Sequence, residues 1–68
     1  MAGTYKKIEI VGTSTASFAE AVKAAVKDAS QTVRHMDWFE VAELRGRIKD
    51  GQVSEFQATL RIGFKLER

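Results

Sequence analysis

Sixty-eight residues, 44% hydrophobic and 29% charged, describe one small globular domain spanning residues 1-68, and a formal charge of +2 is too weak to imply a nucleic-acid partner. With no cysteine, disulfides and thiolate sites are excluded, and a single histidine, His35, argues against a protein-only zinc centre. A chain this short buries only about 60% of the surface its unfolded form exposes, so oligomerisation is the expected support for its core. No apolar run approaches the roughly 20 residues of a membrane span, and there is no signal-peptide pattern. A cytoplasmic location with no membrane partner is therefore expected.

Tyr5 to Val11 reads as a first strand, with Lys7 and Glu9 alternating against Ile8 and Ile10. Gly12 ends that run, and Ser14 is the expected N-cap of a helix, with Ser17 standing where a capping box needs Glu or Gln. The helix itself is expected from Ser17 to about Val33. Phe18, Val22, Ala25, Val26, Ala29 and Val33 recur at steps of three and four and form its apolar stripe. The stripe is rich in alanine, which lets the helix lie close to a sheet. Glu20 and Lys23 are spaced to pair on the solvated face, and Arg34 and His35 fall where cationic charge complements a helix C-terminus.

Trp38 to about Ile48 reads as a second strand and Val53 to Leu66 as a third. Asp50-Gly51 between them is a hairpin signal, because both central residues of a type I′ turn need positive φ. On the third strand Phe56, Ala58, Leu60, Ile62, Phe64 and Leu66 take one face, and Glu55, Gln57, Thr59, Arg61 and Lys65 the other. A two-residue loop pairs Lys49 with Gln52, and counting back sets Leu44 opposite Gln57, Val41 opposite Leu60, Phe39 opposite Ile62 and Trp38 opposite Gly63. In that register Phe39 and Val41 lie under the helix, while Trp38, Ala42, Leu44, Gln57, Thr59 and Arg61 share the other face; a bulge would alter it. A right-handed crossover makes the first and second strands parallel, with the third antiparallel between them. The expected fold is α+β: β-α-β-β, a three-stranded antiparallel sheet in the order 1-3-2 packed on one helix. Its other face, carrying Trp, Leu and Ile side chains, invites self-association.

Trp38 is the only tryptophan and stands where the helical pattern gives way to the strand. Two readings are open. The ring is core, as most large aromatics are, or it is a platform for a planar ligand, with the amide of Gln57 on the same face.

The segments Ile8-Glu9-Ile10-Val11-Gly12-Thr13-Ser14, Met36-Asp37-Trp38-Phe39-Glu40-Val41, Arg45-Gly46, Phe56-Gln57 and Gly63-Phe64-Lys65-Leu66-Glu67 resemble the dodecin family, in order and spacing, nearly end to end. The resemblance implies a hollow homododecamer that binds a flavin (FMN, riboflavin or FAD) and stores, buffers or photoprotects it without catalysis. It implies that Trp38 stacks on the isoalloxazine and that Gln57 hydrogen-bonds the ring edge. It gives Arg45 a supporting role near the ligand and Asp37 a place at the pocket wall. Lys6, Lys7 and Lys65 are candidates for a phosphate as much as for solvated surface. Coenzyme A is the second ligand the resemblance allows, and the alternative reading is a coenzyme A-binding or carrier module with flavin incidental.

Chemistry supports the flavin reading. The isoalloxazine is an electron-poor plane and indole an electron-rich one, and a carboxamide offers both a donor and an acceptor to the pyrimidine edge. An enzyme is disfavoured. Glu9, Glu20, Glu40, Glu43 and Glu55 show no paired spacing with a nucleophile or metal motif, and Val11-Gly12-Thr13-Ser14 is not a phosphate loop. Lys6, Lys7, Lys23, Lys27 and Arg34 are scattered among carboxylates and form no nucleic-acid stripe.

Overall fold

A computed structural model of the chain describes residues 3–66. Strand β1 (Tyr5–Ser14) leads into helix α1 (Phe18–Ala29), and strands β2 (Met36–Lys49) and β3 (Gln52–Lys65) form a long hairpin. The sheet order is β1-β3-β2, antiparallel at both junctions, as the crossover argument requires. Asp50 and Gly51 have φ of 53° and 76°, the positive pair that the type I′ turn demands.

Local chemistry moves several boundaries. The first strand runs through Gly12 and stops at Ser14. Gly12 faces the helix, and a Cβ built there would meet the carbonyl oxygen of Ala21 and the Cβ of Ala25. The glycine is therefore where helix and strand touch. The N-cap is Ser17, not Ser14: Ser17 is extended, and its hydroxyl accepts the Glu20 N–H at 3.0 Å. Ser14 instead accepts from the N–H of Ala16 and Ser17, tightening the turn that precedes the helix. The helix ends at Ala29, four residues before the expected Val33, and turn hydrogen bonds carry the chain from Ser30 to Val33. Lys27, in the last turn, complements the helix dipole. Arg34 and His35 lie beyond the helix end, and His35 takes a left-handed φ of 61° as the chain turns into β2.

The hairpin register shifts three times: Asp37 is an extra residue on β2 between Met36 and Trp38, and two further bulges compensate each other. One adds Ser54 to β3 near the turn, and the other adds Ala42 to β2. Lys49 pairs with Gln52, Val41 with Leu60, Phe39 with Ile62 and Trp38 with Gly63, as counted from the turn. Between the bulges the pairing is offset by one: Leu44 opposes Ala58, and Arg45, not Leu44, opposes Gln57. Leu44 therefore joins the helix side of the sheet. The opposite face is mostly charged, with Lys7 and Glu9 on β1, Glu40, Glu43, Arg45 and Arg47 on β2, and Glu55 and Arg61 on β3.

The core is small. Among the described residues the buried apolar side chains are Ala21, Ala25, Ala58, Leu60 and Ile62. Leu60 and Ile62 each contribute roughly 1.5–3 kcal/mol by burial. The helix lies over β1 and β3 and does not cover β2. Phe39 and Val41, expected beneath it, are 49% and 48% exposed, and Leu44 is 51% exposed. Much of the uncovered apolar surface thus lies on the helix side of β2, with Tyr5, Val11 and Trp38 exposed on the other face. It includes a hollow of about 610 Å³ between Phe39 and the helix residues Ala19, Val22 and Val26. The radius of gyration is 14.1 Å, against about 11 Å for a compact chain of this length.

The Gly12 contact is directly testable. Gly12→Ala places a methyl against helix backbone that cannot move aside without lifting α1. It should lower stability by about 1–3 kcal/mol, read as a lower urea midpoint at fixed protein concentration. An unchanged midpoint would show that Gly12 does not set the helix–sheet spacing.

Candidate functional site

Trp38 projects from β2 on the face away from the helix, opposite Gly63. Gly63 leaves room for it: a Cβ added there would run into the six-membered ring of the indole, at Cζ2, Cη2 and Cε2. The ring therefore lies over bare backbone. Tyr5 of β1 meets it edge-on, with centroids 5.3 Å apart and planes at 62°. The indole N–H donates to Glu40 Oε2 at 3.1 Å. Lys7 Nζ donates to both oxygens of the same carboxylate, at 3.0 and 3.1 Å. The Trp38 hydrogen bond first, and Lys7 second, hold the Glu40 carboxyl below the usual carboxylate range. Trp38 remains 36% exposed, so the single chain does not use it as core.

The four candidate residues fall into two pairs. Asp37 adjoins Trp38 and lines a hollow of about 160 Å³ with it, Met36, Phe39, Val26 and Ile62. Arg45 and Gln57 are cross-strand neighbours. The Gln57 amide donates to Glu55 Oε1 at 2.8 Å, and Arg45 sits 3.8 Å from Glu43 Oε1. Trp38 and Gln57 share a face but are not brought together. Gln57 lies six positions along β3 from Gly63, about 20 Å at strand rise.

Of the phosphate candidates, Lys7 is held by Glu40, Lys6 opposes Phe64 on the helix side, and Lys65 opposes Tyr5 on the open face. Glu40, absent from the expected site residues, carries a sequence signal as the partner of Trp38: residues i and i+2 of a strand point the same way, and an indole N–H needs an acceptor.

A model of the dodecin family matches residues 4–67. The chain belongs to the dodecin family. It is 49% identical over 67 residues to a dodecin of Thermus thermophilus, covering 98% of this chain and 97% of the relative. Its fold matches the dodecin of Streptomyces coelicolor with a TM-score of 0.93 at 52% identity, covering 97% of this chain and 94% of that one. The dodecin of Streptomyces davaonensis matches with a TM-score of 0.93 at 41% identity, covering all of both chains. Dodecins are non-enzymatic binding proteins, flavin binding is typical of them, and membership implies oligomeric assembly. Among the described residues, no helix is long and apolar enough to cross a membrane.

Gly63→Ala tests the seat of the indole. The added methyl forces the ring off the sheet, and a half-exposed ring can swing outward, so the fold should survive at a cost of about 1–2 kcal/mol. The near-ultraviolet dichroism of the single tryptophan should change, as the contacts to Tyr5 and Glu40 are broken. An unaltered spectrum would remove Gly63 as the seat.

Proposed function

We propose that this protein binds a flavin (FMN, riboflavin or FAD) as a homododecamer, and that it stores, buffers or photoprotects the ligand in the cytoplasm. The observation that carries the reading is the exposed indole of Trp38, backed by the glycine and held in orientation, in a chain of this family. In the proposed site Trp38 stacks on the isoalloxazine and Gln57 hydrogen-bonds its pyrimidine edge. Arg45, beside Gln57, supplies positive charge nearby, and Asp37 forms the wall next to Trp38.

The distance between the two ends of the sheet has a consequence for this site. A separation of about 20 Å is longer than a three-ring flavin plane. Trp38 and Gln57 therefore serve one ligand only when they come from different subunits, and binding depends on assembly. The uncovered apolar side of β2 supports that dependence, since Phe39, Val41 and Leu44 are available to be buried by another copy.

Light scattering at micromolar concentration should give a mass near twelve times 7.6 kDa, and mass spectrometry of the intact assembly should release a flavin; coenzyme A released in its place would favour the second nucleotide reading. A stable folded monomer would overturn the proposal.

Trp38→Ala should leave assembly intact, because the helix-side core is untouched. Flavin affinity should fall by roughly 2–4 kcal/mol through lost stacking and burial, read as loss of flavin-fluorescence quenching. A variant that assembles and quenches as strongly as the parent would remove Trp38 from the site. Gln57→Ala should weaken binding by about 1–3 kcal/mol by leaving ligand polar groups unpaired, again with assembly retained. Equal affinity would exclude the amide.

A further inference from the structure

The Trp38 ring is half-exposed, and the torsion that sets its plane is broad and poorly restricted on its own. Three contacts restrict it. Gly63 backs the ring sterically, and Tyr5 meets its edge in a T-shaped contact whose preference for orientation is weak beside that of a charge-assisted hydrogen bond. The third fixes the plane most strictly: indole has one donor and no acceptor, and that donor reaches Glu40 Oε2 at 3.1 Å. Hydrogen bonds to an ionised acceptor are shorter and stronger than neutral ones. The acceptor is itself fixed from another strand. Lys7, on β1, reaches across β3 to both oxygens of Glu40. Arg61, the cross-strand neighbour of Glu40 on β3, is engaged by Glu9 at 3.3 Å. The helix packs on the opposite face of the sheet, so Lys7 and Arg61 are the charged groups that face this carboxylate from the neighbouring strands.

We propose that Glu40 is a positioning residue of the site: its carboxylate, anchored by Lys7, fixes the plane of the Trp38 indole on which the ligand stacks. The orientation is set before ligand arrives, so binding does not have to order the ring. The inference rests on the flavin reading only for the identity of what stacks; the orientation of the indole is a property of the free protein. Protonation of Glu40 removes the charge that Lys7 and the indole N–H both hold. Because these partners depress its pKa, the arrangement is complete at neutral pH. It is lost only as pH falls below the ordinary carboxylate value of 4.5.

The chain has one tryptophan, so emission and the indole N–H resonance report the surroundings of this ring and of no other. In the ligand-free assembled protein, acid titration should move both with a midpoint below 4.5, while light scattering shows that assembly persists over the same range. Glu40→Gln, nearly isosteric, should abolish the titration. Lys7→Met should raise the midpoint toward the ordinary carboxylate value, a shift that a merely structural role would not produce. Flavin affinity at neutral pH should fall roughly two- to tenfold in Glu40→Gln, with the assembly unchanged. A Trp38 signal indifferent to acid, or one titrating identically in Glu40→Gln, would overturn the proposal. So would unchanged flavin affinity in Glu40→Gln. A parent protein that binds no flavin yet shows the titration would defeat the ligand assignment and leave the positioning of the ring established.

Discussion

One helix of twelve residues has to cover a sheet whose longer strands have fourteen. At 1.5 Å per residue the helix is about 18 Å long, while a fourteen-residue strand approaches 46 Å. The helix settles over β1 and β3, where Gly12, Ala21, Ala25 and Ala58 let the backbones come close. That close fit gives a core of small side chains around Leu60 and Ile62, and it leaves the apolar side of β2 without a cover. An isolated chain would expose Phe39, Val41 and Leu44 to water. Assembly is thus a requirement set by the proportions of two elements, and it needs no special binding motif.

The same proportions place the candidate site. Because the helix occupies one face, the charged face is free along its whole length, with Trp38 near one end and the Arg45–Gln57 pair toward the other. On that face most cations sit beside carboxylates: Lys7 with Glu40, Arg61 with Glu9, Arg47 with Glu55. Exposed pairs of this kind are each worth about 0–1 kcal/mol, so they add little to stability. Near Trp38 and Tyr5, the Lys7–Glu40 pair sets a polar side chain against the indole, while Arg47–Glu55 lies toward the turn. A surface prepared in this way presents an aromatic ring without collapsing onto it.

Much of this was legible in the sequence. The alternation in β3, the Asp50-Gly51 turn and the β-α-β-β order were enough for topology, and the order of short motifs was enough for the family. Features that depend on close approach were not. Gly12 has the composition of a strand terminator, and only its contact with Ala21 and Ala25 shows why β1 continues through it. Ser14 and Ser17 are both competent caps, and the choice falls to where the chain can turn upward onto the sheet. Ala21, fully buried, did not stand out in the helical stripe, because an alanine signals burial only when the neighbouring backbone is close enough to exclude anything larger.

Two of the bulges show how a register can be right at the turn and at Trp38 and wrong between them. An extra residue on β3 at Ser54 displaces the pairing by one, and an extra residue on β2 at Ala42 restores it. Counting from the turn therefore pairs Trp38 with Gly63 correctly, since the two errors cancel before the count reaches it. Between them, every residue from Glu43 to Arg47 changes face relative to the regular ladder. That change carries Leu44 to the apolar side, where it extends the uncovered surface of β2. It also carries Arg45 to the charged side, directly across from Gln57. Without the paired bulges an apolar leucine would stand beside the amide and the guanidinium would point into the apolar surface. The irregularity that pattern reading could not see is thus what makes one face of the hairpin apolar and the other polar.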